Sequence, residues 1–74
     1  MNLRVEVFGQ LLPGKERRQT LKIEGPISVR EVATMLGLTS DEIGLITING
    51  VQSEMEDRMD ADSRLCFFPH MSGG

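Results

Sequence analysis

A chain of 74 residues forms one domain, and a domain of this size buries only about 60% of the surface its unfolded chain exposes. It has little room for a catalytic cavity beside a core, which favours a binding or carrier role over a self-contained enzyme. A nucleic-acid binder normally shows a basic face, and a net charge of −3 with a pI near 5.0 weighs against that reading.

Leu3, Val5 and Val7 alternate with Arg4, Glu6 and Phe8, a period-two strand with one apolar face. Pro13-Gly14 marks a loop, and Lys15 to Arg18, interrupted by Glu16, reads as a solvated basic stretch. Gln19 to Glu24 reads as a second strand, with Leu21 and Ile23 facing the core; the short connection makes an antiparallel hairpin the economical pairing.

Gly25-Pro26 breaks that pattern, and Ser28 with Glu31 three residues on predicts a capped helix start. Val29, Val32, Ala33 and Leu36 recur at helical spacing. Gly37 supplies the stop and Leu38 packs back on the last turn, for a helix of about ten residues.

Leu45 to Ile48 is rich in β-formers, Asn49-Gly50 makes a tight hairpin turn, and Val51 to Ser53 returns as a short strand. Glu54 to Ser63 is polar and irregular, with Met55 and Met59 as anchors beneath a loop. Its acidic residues Glu54, Glu56, Asp57, Asp60 and Asp62 lack calcium-loop spacing and form a solvated face, one that can steer a basic partner. Arg64 to Phe68 is the last strand, stopped by Pro69.

The order is β-β-α-β-β-β, an α+β class in which one helix covers one face of a mixed sheet. The charge-poor run Leu65-Cys66-Phe67-Phe68 fits a central strand. The expected core is Leu3, Val5, Val7, Leu21, Ile23, Val32, Leu36, Ile48, Leu65 and Phe67. Strand alternation puts Phe68 and Cys66 opposite Leu65 and Phe67. Phe68 then lies on the open sheet face, where it either docks a partner or is covered by a local loop.

Cys66 is the only cysteine, so no intramolecular disulfide can form and a reducing compartment is expected. Its mid-strand position suits a small packed residue rather than a persulfide carrier. No apolar run reaches membrane-spanning length and no signal-peptide pattern opens the chain, so a cytoplasmic protein without a membrane partner is expected. Residues 1–69 form the expected domain, and residues 70–74, without periodicity, a mobile tail.

The end Phe67-Phe68-Pro69-His70-Met71-Ser72-Gly73-Gly74 resembles the Phe-Phe-Pro-x-x-x-Gly-Gly ending of the MoaD/ThiS family of ubiquitin-like sulfur carriers, and of its molybdopterin-synthase branch most closely. Ile48-Asn49 matches the family's strand-end Val-Asn, and Met59 an apolar residue before the last turn; detailed agreement spans roughly the last 26 residues. Two features depart from the pattern. Ala61-Asp62-Ser63 stands in place of Asp-Gly-Asp, and His70 in place of a second Pro. The short connection after the helix is closer to the thiamin branch.

The resemblance implies a ubiquitin-like β-grasp, with its first and last strands adjacent, parallel and central. It implies that a ubiquitin-activating-type enzyme spends ATP to adenylate the Gly74 carboxylate. Sulfur from a persulfide donor then replaces AMP to leave a thiocarboxylate. The tail next enters the large subunit of molybdopterin synthase, or the sulfur serves thiazole synthesis instead. Gly73 and Gly74, lacking Cβ atoms, suit a narrow channel. Phe68, Pro69, His70, Met71 and Ser72 are the expected partner contacts. Leu11 and Leu12, in the first hairpin loop, either extend that patch or pack as loop anchors. No cofactor is expected on this chain, and a lone His70 does not make a metal site. A protein modifier joined through Gly74, or a plain interaction domain with an inert tail, are the readings from other classes.

Overall fold

Alternation along Asn2–Val7 (β1) sends Leu3, Val5 and Val7 into the core and leaves Asn2 and Arg4 exposed. The structure, a computed structural model, describes residues 2–11 and 16–70. β1 pairs antiparallel with Arg18–Lys22 (β2), from Asn2↔Lys22 to Glu6↔Arg18. The ladder ends at Lys22, so β2 is shorter than the expected strand through Glu24, although Ile23 is still buried.

Val29–Leu36 (α1) begins where Ser28 accepts a hydrogen bond from the Glu31 amide at 3.1 Å. The Ser28 hydroxyl also lies 3.1 Å from a Glu31 carboxylate oxygen, so the two side chains cap together. Gly37, at φ 81°, ends the helix, and the Leu38 amide donates back to the Ala33 carbonyl at 2.8 Å. Val29, Val32 and Ala33 meet Leu3, Val5, Val7, Leu65 and Phe67 in one core. The helix has eight residues, somewhat fewer than its spacing suggested.

Two elements were absent from the expected order. Ile27–Ser28 (β3) pairs antiparallel with Arg58–Met59 (β6) in a small second sheet. Each has two residues, too few for a periodic signal. The ladder has a purpose at the helix start. It brings the Asp57 and Met55 carbonyls to accept from the Val29 and Arg30 amides, each at 2.9 Å, satisfying donors that no earlier turn can reach. Met59 is fully buried and Met55 partly so, as expected of anchors in that segment.

Ile43–Ile48 (β4), Val51–Gln52 (β5) and Arg64–Pro69 (β7) complete the main sheet, in the order β2-β1-β7-β4-β5. β1 and β7 run parallel and adjacent, and the other ladders are antiparallel. This mixed sheet under one helix is the ubiquitin-like β-grasp. With neighbours on both sides, β7 buries Leu65, Cys66 and Phe67 consecutively. Of the expected core, Leu3, Val5, Val7, Ile23, Val32, Leu65 and Phe67 are buried, and Leu21, Leu36 and Ile48 pack half-buried against it. Ile43, Ile46, Leu38 and Leu11 join them.

Candidate functional site

The β1–β7 register fixes what lies beside the C-terminal end of β7. Parallel pairing of Arg4 with Arg64, Glu6 with Cys66 and Val7 with Phe67 puts alternate residues of both strands on the same face. One step further on, the Phe8 amide donates to the Phe67 carbonyl at 2.9 Å. The Phe8 ring consequently lies on Phe68, with centroids 4.5 Å apart and planes within 6°. From the other side, Leu45 of β4 pairs with Phe68 and is 38% exposed. Phe8, Phe68 and Leu45 thus form an apolar row across three strands on the face away from the helix.

Phe68 is half-buried, and its cover is Phe8. Both rings remain half-buried, so the stack keeps part of its surface exposed. Phe8 was not among the expected site residues. Its parity with Arg4 and Glu6 was legible, but its meeting with Phe68 depends on a parallel register between the two ends of the chain. Leu11 is 8% exposed and belongs to the core, so it packs as a loop anchor and does not extend the surface patch. Leu12, Met71, Ser72, Gly73 and Gly74 lie outside the described residues. Cys66 is a buried free thiol between Glu6 and Thr47.

Charge on this sheet face is one-sided. Register places Lys22, Arg4, Arg18 and Arg64 on it, and among the residues paired in these ladders Glu6 is its one acid. Arg4, Glu6, Arg18, Thr20 and Arg64 border a shallow depression of about 450 Å³. Arg64 donates to Glu6 at 2.7 Å and Arg18 at 3.4 Å. The Arg64 hydrogen bond holds the Glu6 carboxyl below its ordinary value despite partial burial, with the Arg18 charge adding to it. The same contact raises Arg64. In the segment after β5, Glu56 pairs with Arg30 of α1, and the Asp62 carbonyl accepts from Arg4 at 3.4 Å.

At its end, β7 reaches Pro69 opposite Ile43, with a bulge between Ile43 and Leu45. The next residue, His70, is exposed, and its Nε2 lies 2.8 Å from the Asp41 carbonyl oxygen, which accepts when that nitrogen carries the proton. β7 ends at Pro69, and residues 71–74 of the expected tail lie outside the described residues. Among the described residues no group of three or more His, Cys, Asp or Glu side chains could hold a metal ion, and no helix is long and apolar enough to cross a membrane.

No family model matches the sequence, and no curated protein matches it. Solved structures do share its shape. SAMP1 from Haloferax volcanii superposes with a TM-score of 0.77 at 18% identity, covering 100% of both chains. A crystal structure of the small archaeal modifier protein 1 of Haloferax volcanii gives 0.72 at 16% identity, over 92% of this chain and 95% of that one. A chain from the complex of subunits 1 and 2 of the molybdopterin-converting factor from Helicobacter pylori 26695 gives 0.66 at 18%, with 100% of both chains covered. At these identities the likeness is one of fold.

Proposed function

We propose that this chain is a ubiquitin-like sulfur carrier whose reacting group is the Gly74 carboxylate. The observation that carries the reading is the junction at Pro69. A central strand ends there beside an aromatic pair, and Ser72-Gly73-Gly74 follows at the spacing of the Phe-Phe-Pro-x-x-x-Gly-Gly pattern. A carboxylate acylates poorly until it gains a good leaving group. In the proposed sequence a carboxylate oxygen of Gly74 attacks the α-phosphorus of ATP and pyrophosphate leaves. A persulfide sulfur then attacks the acyl carbon and AMP leaves. A thiol reductant cleaves the remaining S–S bond and frees the thiocarboxylate. ATP binds the adenylating partner, and this chain supplies the terminus and a docking face.

That face is the row Phe8, Phe68 and Leu45, with Pro69 and His70 at its edge and the basic residues beside it. The recipient of the sulfur is the large subunit of molybdopterin synthase. The Phe67-Phe68-Pro69 segment supports this, as does the likeness in shape to a chain of the molybdopterin-converting factor complex. A second reading is conjugation of Gly74 to a lysine of another protein, favoured by the likeness to the small archaeal modifier protein 1.

The test pairs the protein with the adenylating enzyme of its own organism. ATP–pyrophosphate exchange is expected with the native chain. It should be lost on deleting Gly74 or extending beyond it, with no change in thermal unfolding. Exchange by the truncated form eliminates carrier and modifier together. The mass of the protein from its native cell separates them, since a carrier has one terminal oxygen replaced by sulfur and a modifier is found attached to other proteins.

A further inference from the structure

Two glycines remote in sequence converge on the end of β7. Gly44 lies at the β4 bulge opposite it, and Gly9 follows β1 on the other flank. A Cβ on Gly44 would sit 2.6 Å from the Pro69 carbonyl oxygen, 2.7 Å from His70 Cα and 2.8 Å from the His70 nitrogen. These are main-chain atoms, which cannot swing aside as a side chain would. A Cβ on Gly9 would overlap the Pro69 ring.

A turn explains Gly9, whose φ is +67°. It does not explain Gly44, which is absent from the positive-φ residues. Its φ lies outside the left-handed range that favours glycine, so what requires glycine there is the close approach of Pro69–His70. Around Gly25, Gly37 and Gly50 an added Cβ meets nothing within 4 Å. Among these glycines the crowding is therefore particular to the end of β7. The Asp41 carbonyl, at 2.8 Å from the His70 ring, holds the next residue from the same side.

We propose that Gly9 and Gly44 form a slot that grips Pro69–His70 and aims the residues beyond it, making Gly44 a positioning residue for acyl activation. The inference rests on the carrier reading. Its physical reason is leverage. Each residue spans at most about 3.3–3.6 Å, so the direction in which the chain leaves Pro69–His70 sets the region that the four remaining residues can reach. Misplacing a reacting atom by about 1 Å can cost about 100-fold in rate. A slot without side chains fixes that direction while leaving the apolar row free to dock.

The test measures ATP–pyrophosphate exchange with the adenylating enzyme of the same organism for the native chain, Gly44→Ala, His70→Ala and Gly25→Ala. Gly44→Ala should lower kcat by about 10-fold or more with KM within about 2-fold, because docking is intact and aim is lost. His70→Ala, which removes the Asp41 contact without adding bulk, should lower kcat by a smaller factor. Gly25→Ala should leave both constants unchanged. Native kcat in Gly44→Ala, or a loss that only tracks its unfolded fraction, overturns the slot and leaves the carrier reading standing. If Gly44→Ala does not fold, His70→Ala decides: unchanged kcat, or a change in KM alone, overturns the slot. Absence of exchange with the native chain overturns the carrier reading, and the slot with it.

Discussion

Phe67 and Phe68 are adjacent in sequence and opposite in role. Phe67 is 0% exposed in the core, so Phe67→Ala should lower unfolding stability by about 3–5 kcal/mol. Phe68 is half-buried, and its ring contact with Phe8 contributes about 0.5–1.5 kcal/mol beyond area burial. Phe68→Ala should therefore unfold at a temperature between native and Phe67→Ala while binding the adenylating enzyme at least about 10-fold more weakly. Equal destabilisation of the two variants, or native affinity in Phe68→Ala, removes Phe68 from the docking row. Glu6 gives a pH prediction. Its carboxyl is held below the ordinary value of 4.5, first by the hydrogen bond from Arg64. A lowered folded value means the stabilisation is complete above the unfolded carboxylate range and is lost as pH falls through the folded value. Urea unfolding at neutral and at acid pH should show the stability gap between native protein and Glu6→Gln narrowing on the acid side.

Elements here are joined by small polar contacts between segments far apart in the chain. The turn after β4 is the clearest case. Asn49 and Gly50 take φ of 52° and 83°, which suits a tight hairpin. Asn49 does more than turn. Its Oδ1 accepts from the Arg64 amide at 2.9 Å, and its own amide donates to the Arg64 carbonyl at 2.9 Å. The turn therefore fastens the start of β7. Asn49→Gly keeps the backbone conformation and loses the side-chain bond, a loss of about 0.5–1.5 kcal/mol. Asn49→Ala loses the bond and also strains the left-handed position by about 1–2 kcal/mol, so it should be the less stable of the two in chemical denaturation.

At the scale of the whole molecule, one sheet face gathers basic residues. The net charge is −3, yet the open sheet face carries Lys22, Arg4, Arg18 and Arg64 against Glu6. A face of this kind speeds encounter with an acidic surface, and salt screens it over about 8–10 Å. Association with the adenylating enzyme should slow as salt rises. The double variant Arg4→Gln with Arg18→Gln should show a flatter salt dependence, while Arg30→Gln, on the helix, should not. Stopped-flow association rates across a salt series measure this directly. Parallel slopes for native and double-variant protein would assign the steering elsewhere.

Local patterns were enough for much of this molecule. The alternation of Leu3, Val5 and Val7, the Ser28–Glu31 start and Gly37 stop of the helix, and the Asn49-Gly50 turn each depend on neighbours in the chain. The fold class and most of the core followed from them. So did the parity that separates Phe68 from Phe67. The remaining features required tertiary structure because they depend on pairing between distant segments. The β3–β6 ladder has two residues a side, and it exists because the loop before β7 passes the helix start. The Phe8–Phe68 stack exists because β1 and β7 are parallel in one particular register. Leu11 is buried because it packs into the core cluster, which its position beside Leu12 does not reveal. Gly44 lies just before the strand expected from Leu45 to Ile48 and drew no reading of its own. Only the close approach of Pro69 and His70 gives its missing Cβ a reason.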